Sequence, residues 1–511
     1  MSYSTYLAVT LATLVLNSAT SDGDDSSETA PTLDDALEAA RQRIRALAND
    51  FRHGSVTPLA AAQFEKDLQQ ALREQGRIIT EWTYNHREPA AVEALPPYVH
   101  FEGSQYRRLS KKTPQSVSTL FGAITLRRLG YRAAAAEGEP VLFPLCRELG
   151  LVHGTTPALL ERVALYLAES GGTQRRALER LRREHGVNMG VKRLRQLAGY
   201  VAAAMEEQRV EAQAEQVVRW LEQAEASRGR HRPVLSAGRD GITLGVRIKG
   251  CSKYEVATTG TLTVLDRRGH RLGTVYLAHT PEPGQKTMSG QLTQLLQEVF
   301  KRWQGPLPQL CYVTDAGDNE TAYYKKHLRR LRHPLTGKRL QWIWVVDYYH
   351  ASERLWTMAE ALFGAGQKSW SWARKMQKLL LKPGGVGRVL HSAAALRSRR
   401  KLRGKRLVEF KRAYKYLQKR RDHLRYWEYR RVGMPIGSGV TEAACKTVYT
   451  QRLKQSGMQW HKPGALQILQ LRVILLSGIW SQVYERTLKA QRTVQVRTPE
   501  LPDHSCAENA A

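Results

Sequence analysis

Cysteine is scarce: five residues, Cys146, Cys251, Cys311, Cys445 and Cys506, spread singly along 511 positions with no Cys-x-x-Cys pair. An odd, scattered set argues against a disulfide framework and against structural zinc, and fits a reducing compartment. Long apolar runs are wanting too. The opening stretch Tyr6-Leu-Ala-Val-Thr-Leu-Ala-Thr-Leu-Val-Leu resembles the apolar part of a signal peptide, but no positive segment leads into it. It is too short to span a bilayer, and reads as a stray leader or a misplaced start codon. Negative charge is the third shortage. Asp and Glu number 47 against 79 Lys and Arg, for a net charge of +32. A field of that sign draws polyanions, and each phosphate contact releases condensed counterions. The excess runs along the whole chain rather than in a tail, which favours nucleic acid over an anionic membrane.

The length predicts two to four domains at roughly 100–200 residues each. Residues 1–32, rich in Ser, Asp and Thr after the apolar start, read as a disordered leader, and 488–511 as a disordered tail. A mainly helical region is expected over 33–230. It begins with helices at Leu33–Phe51 and Pro58–His86, followed by a short β patch from Ser116 to Tyr131. Thr156 and Thr173 are expected caps of two helices, and the turn His185-Gly-Val-Asn-Met-Gly leads to a third from Val191. Residues 156–203 thus have helix-turn-helix spacing, with Lys192, Arg193 and Arg195 exposed toward a DNA groove. An ordinary helical bundle is the alternative.

From Pro233 the pattern turns to strands. Gly241–Ile248, Tyr254–Leu265 and Arg271–Ala278 come first, then a helix (Met288–Trp303), a strand (Leu310–Thr314), a helix (Glu320–Leu331), a strand (Trp342–Val346) and a helix from Tyr349. That order predicts an α/β, RNase H-like catalytic core over 231–487. A basic helical insertion interrupts it at about 364–434, and there Tyr414, Tyr416, Tyr426, Trp427 and Tyr429 lie among Lys and Arg. Such rings either stack on unpaired bases or form the insertion's own core.

Three carboxylates carry the candidate chemistry. Asp240 lies in Ser236-Ala-Gly-Arg-Asp-Gly-Ile-Thr-Leu-Gly, where a strand-like segment begins, Asp315 ends the run Leu310-Cys-Tyr-Val-Thr, and Glu442 follows Pro435-Ile-Gly-Ser-Gly-Val-Thr at the start of a helix. Two acids at strand ends and one on a helix can converge on a pair of Mg²⁺ or Mn²⁺ ions, whose hard character suits oxygen ligands. Three acids among 47 can also fall into such settings by chance. Asp318, Glu320 and Asp347 are rivals. Asp347, one position further out at the end of the next strand, is expected to be too far away to bridge both ions. Ser438 is the expected N-cap of the last helix, Lys446 a candidate contact to the scissile phosphate, and Arg452 and Lys454 an extension of the basic track.

Four blocks together are more specific than the acids alone. They are Val313-Thr-Asp, Trp344-Val-Val-Asp-Tyr-Tyr-His-Ala-Ser-Glu-Arg-Leu-Trp, Ile436-Gly-Ser-Gly-Val-Thr-Glu-Ala-Ala-Cys-Lys and Gln451-Arg-Leu-Lys-Gln-Ser-Gly-Met-Gln-Trp. Over roughly Pro233 to Trp480 the chain resembles bacterial insertion-sequence transposases of the ISKra type, relatives of the Mutator-like DDE elements. The resemblance implies that Asp240, Asp315 and Glu442 are the DDE residues. It also implies that Asp347 and His350 form the accessory Asp-x-x-His element. A DNA transposase of this kind binds terminal inverted repeats as double-stranded DNA, acts as a homo-oligomer on DNA and works in the bacterial cytoplasm on the nucleoid. A structure-specific nuclease on the same core, or a non-catalytic DNA-binding descendant, are the alternatives. The stretch Tyr131-Arg-Ala-Ala-Ala-Ala-Glu-Gly-Glu lacks the cysteines that relatives often carry there.

Overall fold

The computed structural model describes residues 32–133 and 140–491, so the leader before Thr32, the tail after Gln491 and the polar turn near Ala136 lie outside the described residues, while the first residues expected in the tail, 488 and 489, belong to the closing helix. The chain divides into two compact units, Met1–Trp82 and Thr83–Ala511. In the first, α1 (Leu33–His53) starts with a reciprocal capping box between Thr32 and Asp35, which satisfies two orphan amides. Helix α2 (Pro58–Asn85) follows, and Phe51 stacks on Phe64 at 4.5 Å between ring centroids.

The second unit begins with a sheet where a short patch was expected. Strands β1 (Tyr98–Phe101), β2 (Ser104–Thr119) and β3 (Gly122–Ala133) form an antiparallel three-stranded sheet. The two residues Leu120-Phe121 turn β2 into β3, and Gly122 supplies the positive φ of 121° that follows the turn. Next come α3 (Pro144–Glu148), α4 (Pro157–Ala168), α5 (Gln174–His185) and α6 (Val191–Ala226). Thr173 caps α5 by accepting the Arg176 amide, and Gly186 ends it in the left-handed region. Thr156 occupies the cap position of α4 without a side-chain bond, and Pro157 follows it. Helix α6 runs for 36 residues, far beyond position 203.

Strands β4 (Val234–Ile248), β5 (Cys251–Leu265) and β6 (Arg271–His279) form an antiparallel meander. After α7 (Lys286–Arg302) comes β7 (Gln309–Thr314), parallel to β4. After α8 (Asp318–Lys326) comes β8 (Trp342–Val346), parallel to β7. The five-stranded mixed sheet has the order β6-β5-β4-β7-β8. The helix expected over Glu320–Leu331 stops at Lys326 and is followed by one 3₁₀ turn, Leu328–Arg330.

Helix α9 (Tyr348–Phe363) leads into α10 (Gln367–Leu380), α11 (Gly385–Arg400), α12 (Gly404–Lys419) and α13 (Tyr426–Arg431). Phe410, Ala413 and Leu417 of α12 are buried in the same core as Leu355, Met358 and Leu362 of α9. The insertion's aromatics are largely structural: Tyr426 and Tyr429 are buried, and the Tyr426 hydroxyl donates to the Val346 carbonyl at 3.0 Å. The chain closes with α14 (Gly439–Ala444), a π-helical stretch Cys445–Thr450, α15 (Lys462–Leu476) and α16 (Trp480–Lys489).

The change of pattern at Pro233 is not a boundary between compact units. Ala214, Val217 and Leu221 of α6 pack into the core of the five-stranded sheet. Leu194, Leu197 and Val201 of the same helix share a second core with Leu244 of β4 and with α15. Two buried arginines reinforce the join. Arg452 Nε donates to the Leu167 carbonyl at 2.7 Å and Arg472 Nη1 to the Ala168 carbonyl at 2.6 Å. Positive side chains thus satisfy the carboxyl end of α4, where orphan carbonyls gather. No single helix among the described residues is long and apolar enough to cross a membrane. Helices α15 and α16 pass that test only as a pair bent by 116°, and most of their apolar residues sit in this core.

Candidate active site

The register of the sheet builds the site. Gly238 of β4 pairs with Val313 of β7, and Val313 with Val345 of β8. Two residues further on, Asp240, Asp315 and Asp347 fall into one row across three neighbouring strands. Asp315 and Asp347 lie just past the carboxyl ends of β7 and β8. Asp240 lies inside β4, which continues beyond its partner β7 and pairs there with Thr259 of β5. Side chains alternate along a strand, so Gly238 and Asp240 share a face while Arg239 takes the other. On that other face Arg239 is buried and donates to Ser289 at 2.9 Å and Gln285 at 2.8 Å.

Glu442 arrives from the chain's far end. Thr441, its neighbour on α14, is buried, and its hydroxyl lies 2.8 Å from that of Thr261 on β5. One turn after Glu442, Cys445 Sγ lies 3.4 Å from both Asp240 Oδ2, to which its thiol donates, and Thr259 Oγ1, whose hydroxyl faces the sulfur. Residues three apart share a helix face, so this contact turns Glu442 toward the same end of β4 as Asp240. Burial, with Asp240 beside it, pushes the Cys445 thiol up to about 12 and keeps it a donor. Burial, the neighbouring Asp315 and Glu442 raise the Asp240 carboxyl, against the pull of the Gly241 amide, which donates to Oδ1 at 2.7 Å. Asp315 accepts the Gly317 amide at 3.0 Å, and the backbone after it is held from the insertion. Tyr416 donates to the Asp315 carbonyl at 2.6 Å and Arg420 to the Ala316 carbonyl at 2.8 Å.

Asp347 is fully buried, and protein donors occupy both of its oxygens. Oδ1 accepts the His350 amide at 2.8 Å, and Oδ2 accepts the Ser438 amide and the Ser438 hydroxyl, the latter at 2.8 Å. Burial works to raise this carboxyl, but the His350 and Ser438 contacts prevail and hold it down at about 2. His350 Nδ1 is 3.4 Å from Asp347 Oδ1 and 3.9 Å from Glu442 Oε1, with no hydrogen-bond partner of proper geometry. Asp347 beside it raises the imidazole to about 9, against the effect of burial. One ligand atom each of Asp347, His350 and Glu442 lies within 4.8 Å of the others.

Ser438 corrects an expectation. It holds the N-cap position of α14, but its hydroxyl makes no capping bond and lies instead 2.7 Å from Glu442 Oε1 as well as beside Asp347. One proton cannot serve both carboxylates at once. The sequence signal for this role is weak, since a serine before a helix reads first as a cap. Glu320 also gains importance: it is buried, and both its carboxylate and that of Asp315 flank Gly317. Burial first, then Asp315, raises its pKa. Asp318 is exposed on the first turn of α8.

The basic candidates separate. Lys192, Arg195, Lys446 and Lys454 are exposed. Arg193 folds back, its Nη2 lying 3.0 Å from the Gly154 carbonyl and 3.1 Å from the Thr155 hydroxyl, so it clamps the loop before α4. Arg452 does not extend the basic track: it is 1% exposed, packed against the end of α4, to which its Nε donates. No known protein-family model matches the sequence, and no curated protein matches it at a significant level.

Proposed function

We propose that this chain is a DNA transposase of the DDE type, acting on the ends of a mobile element with Asp240, Asp315 and Glu442 as its catalytic acids. The observation that carries this reading is the meeting of Asp240, Asp315 and the Glu442 helix at one end of the central strands. The strand order, with β4 central and β7 beside it, supports an RNase H-like core. The site's chemistry fits divalent ions, because burial first, then the acids Asp315 and Glu442 beside it, raises the Asp240 carboxyl, a penalty that a bound cation relieves. Asp240, Asp315 and Glu442 would hold Mg²⁺ or Mn²⁺, which when bound supplies Lewis acidity and an activated water at a phosphodiester.

The protein's own part is positioning. Cys445 and the Gly241 amide fix the two oxygens of Asp240. Ser438 orients Glu442, while Tyr416 and Arg420 hold the strand end that carries Asp315. Exposed Lys446 and Lys454 offer charge to a phosphate backbone, and the α4–α6 region offers Lys192 and Arg195 for recognition of the element's ends. One observation favours a second ligand set in the same site: the close approach of Asp347, His350 and Glu442, which would bring an imidazole to one ion.

The test uses a supercoiled plasmid carrying the gene with its native flanking DNA, incubated with the protein and Mg²⁺ or Mn²⁺. Cleavage at the element's ends is expected, and Asp240→Asn, Asp315→Asn and Glu442→Gln should each abolish it while leaving DNA binding intact. Cleavage that survives in any of the three removes that residue from the site, and absence of any cleavage by the wild type removes the reading.

A further inference from the structure

Away from the carboxylates, a cavity of about 470 Å³ opens between the start of α5, the first turns of α6 and the segment joining the π-helical stretch to α15. Its apolar wall is Leu167, Ala198, Met458, Trp460 and Ile468. Arg452 lines it as well, buried to 1% exposure, and its Nη1 has no hydrogen-bond partner. That nitrogen is shut off from solvent, so the Arg452 charge acts on the cavity through its wall rather than by a hydrogen bond into it. Burial, with Arg472 nearby, depresses the Arg452 pKa to about 10, the mark of a positive charge that lacks an anion.

Trp460 is anchored by its indole N–H, which donates to the Leu453 carbonyl at 2.9 Å, and the Arg452 guanidinium lies 5.2 Å from its ring centroid. Arg175 and Arg195, both exposed, stand at the rim, and the Gln467 amide reaches the same space. A phosphate on an intact duplex needs cations on a surface, not an apolar chamber beside a tryptophan. A base taken out of the stack needs both, together with polar groups for its edge.

We infer that this cavity receives one unpaired nucleotide of the DNA substrate. Its base lies against Trp460 within reach of the Gln467 amide, and its phosphate faces Arg175 and Arg195 with the Arg452 charge behind. The inference rests on the proposal that DNA is the substrate, and it adds a base-binding site about which the carboxylate row says nothing.

The full-length protein is tested in EDTA, so that no cleavage intervenes, by fluorescence anisotropy on two labelled duplexes that differ only by one bulged thymidine. The bulged duplex should bind tighter by roughly 5- to 100-fold, the range that base–aromatic stacking supports. Trp460→Leu should erase the preference while leaving affinity for the perfect duplex unchanged. Because Trp460 also braces the fold, Gly464→Phe provides an independent check: Gly464 lines the cavity on α15 and a Cβ built there meets nothing within 4 Å, so a bulky side chain can be introduced at the cavity wall without moving the backbone. Equal affinity of the wild type for both duplexes, or a preference that survives Gly464→Phe, overturns the inference and leaves the DNA reading standing. Failure to bind either duplex overturns the DNA reading itself.

Discussion

Thr441 sits so tightly over Gly238 that a Cβ built on the glycine would lie 2.1 Å from the threonine hydroxyl and 2.9 Å from that of Thr261. The close approach of helix α14 to β4 therefore depends on a missing side chain, and this approach brings Glu442 to the row of aspartates. Gly238→Ala should push α14 away and lower cleavage by a factor of about 100 or more, the scale on which small misplacements act. DNA binding should stay near wild type. Adding Thr441→Ala removes the nearest clashing atom and should restore part of the activity. A Gly238→Ala enzyme of full activity would show that Glu442 needs no such fit.

Asp315 and Asp347 occupy equivalent positions on neighbouring strands but are bonded differently. Asp347 spends its carboxylate on the His350 amide and on Ser438, tying α9 to the loop before α14. Asp347→Asn should therefore cost about 1.5–3 kcal/mol of stability, the worth of hydrogen bonds to a charged group. Asp315→Asn should leave the unfolding midpoint near wild type while abolishing cleavage. Urea unfolding and a Mn²⁺ titration on both variants separate the roles. Equal loss of metal affinity in the two would make Asp347 a ligand in its own right.

Lys192 and Arg193 are sequence neighbours with different fates. Lys192 is exposed, so Lys192→Ala should reduce the salt dependence of DNA binding by about one unit of slope without changing stability. Arg193→Ala should do the reverse, destabilising the loop at Gly154 and leaving the slope unchanged. Binding isotherms at several salt concentrations, beside a thermal melt, give both readouts. A slope that responds to Arg193 and not to Lys192 would invert the assignment.

Glu184, at the end of α5, provides a pH signature. Burial tends to raise its carboxyl, yet the Tyr166 hydroxyl at 2.6 Å and the Arg183 and Arg180 guanidiniums bring it down to about 2. A depressed folded-state pKa means stability that is present above the unfolded value of about 4.3 and is lost as pH falls toward 2. Wild type should thus melt higher than Glu184→Gln at pH 6, with the gap closing between about pH 4.3 and 2. A gap that is constant across that window would assign the effect to packing rather than to charge.

The local features were legible because neighbouring residues encode them. The Thr173 cap, the Gly186 stop, the strand over Leu310–Thr314 and the position of Asp315 at its end follow from periodicity and capping chemistry. The basic excess was equally plain in the composition. Tertiary packing decided what those patterns leave open. A run such as Ser116–Tyr131 does not announce its own turn, and Pro233 marks a change of period without marking where cores separate. Ser438 reads as a cap until Asp347 and Glu442 are brought to its hydroxyl. Arg452 reads as one more exposed cation until the end of α4 is packed against it. Propensity is set over a few residues along the chain, whereas the convergence of Asp240, Asp315 and Glu442 depends on sheet register and on one glycine that lets a distant helix settle against β4.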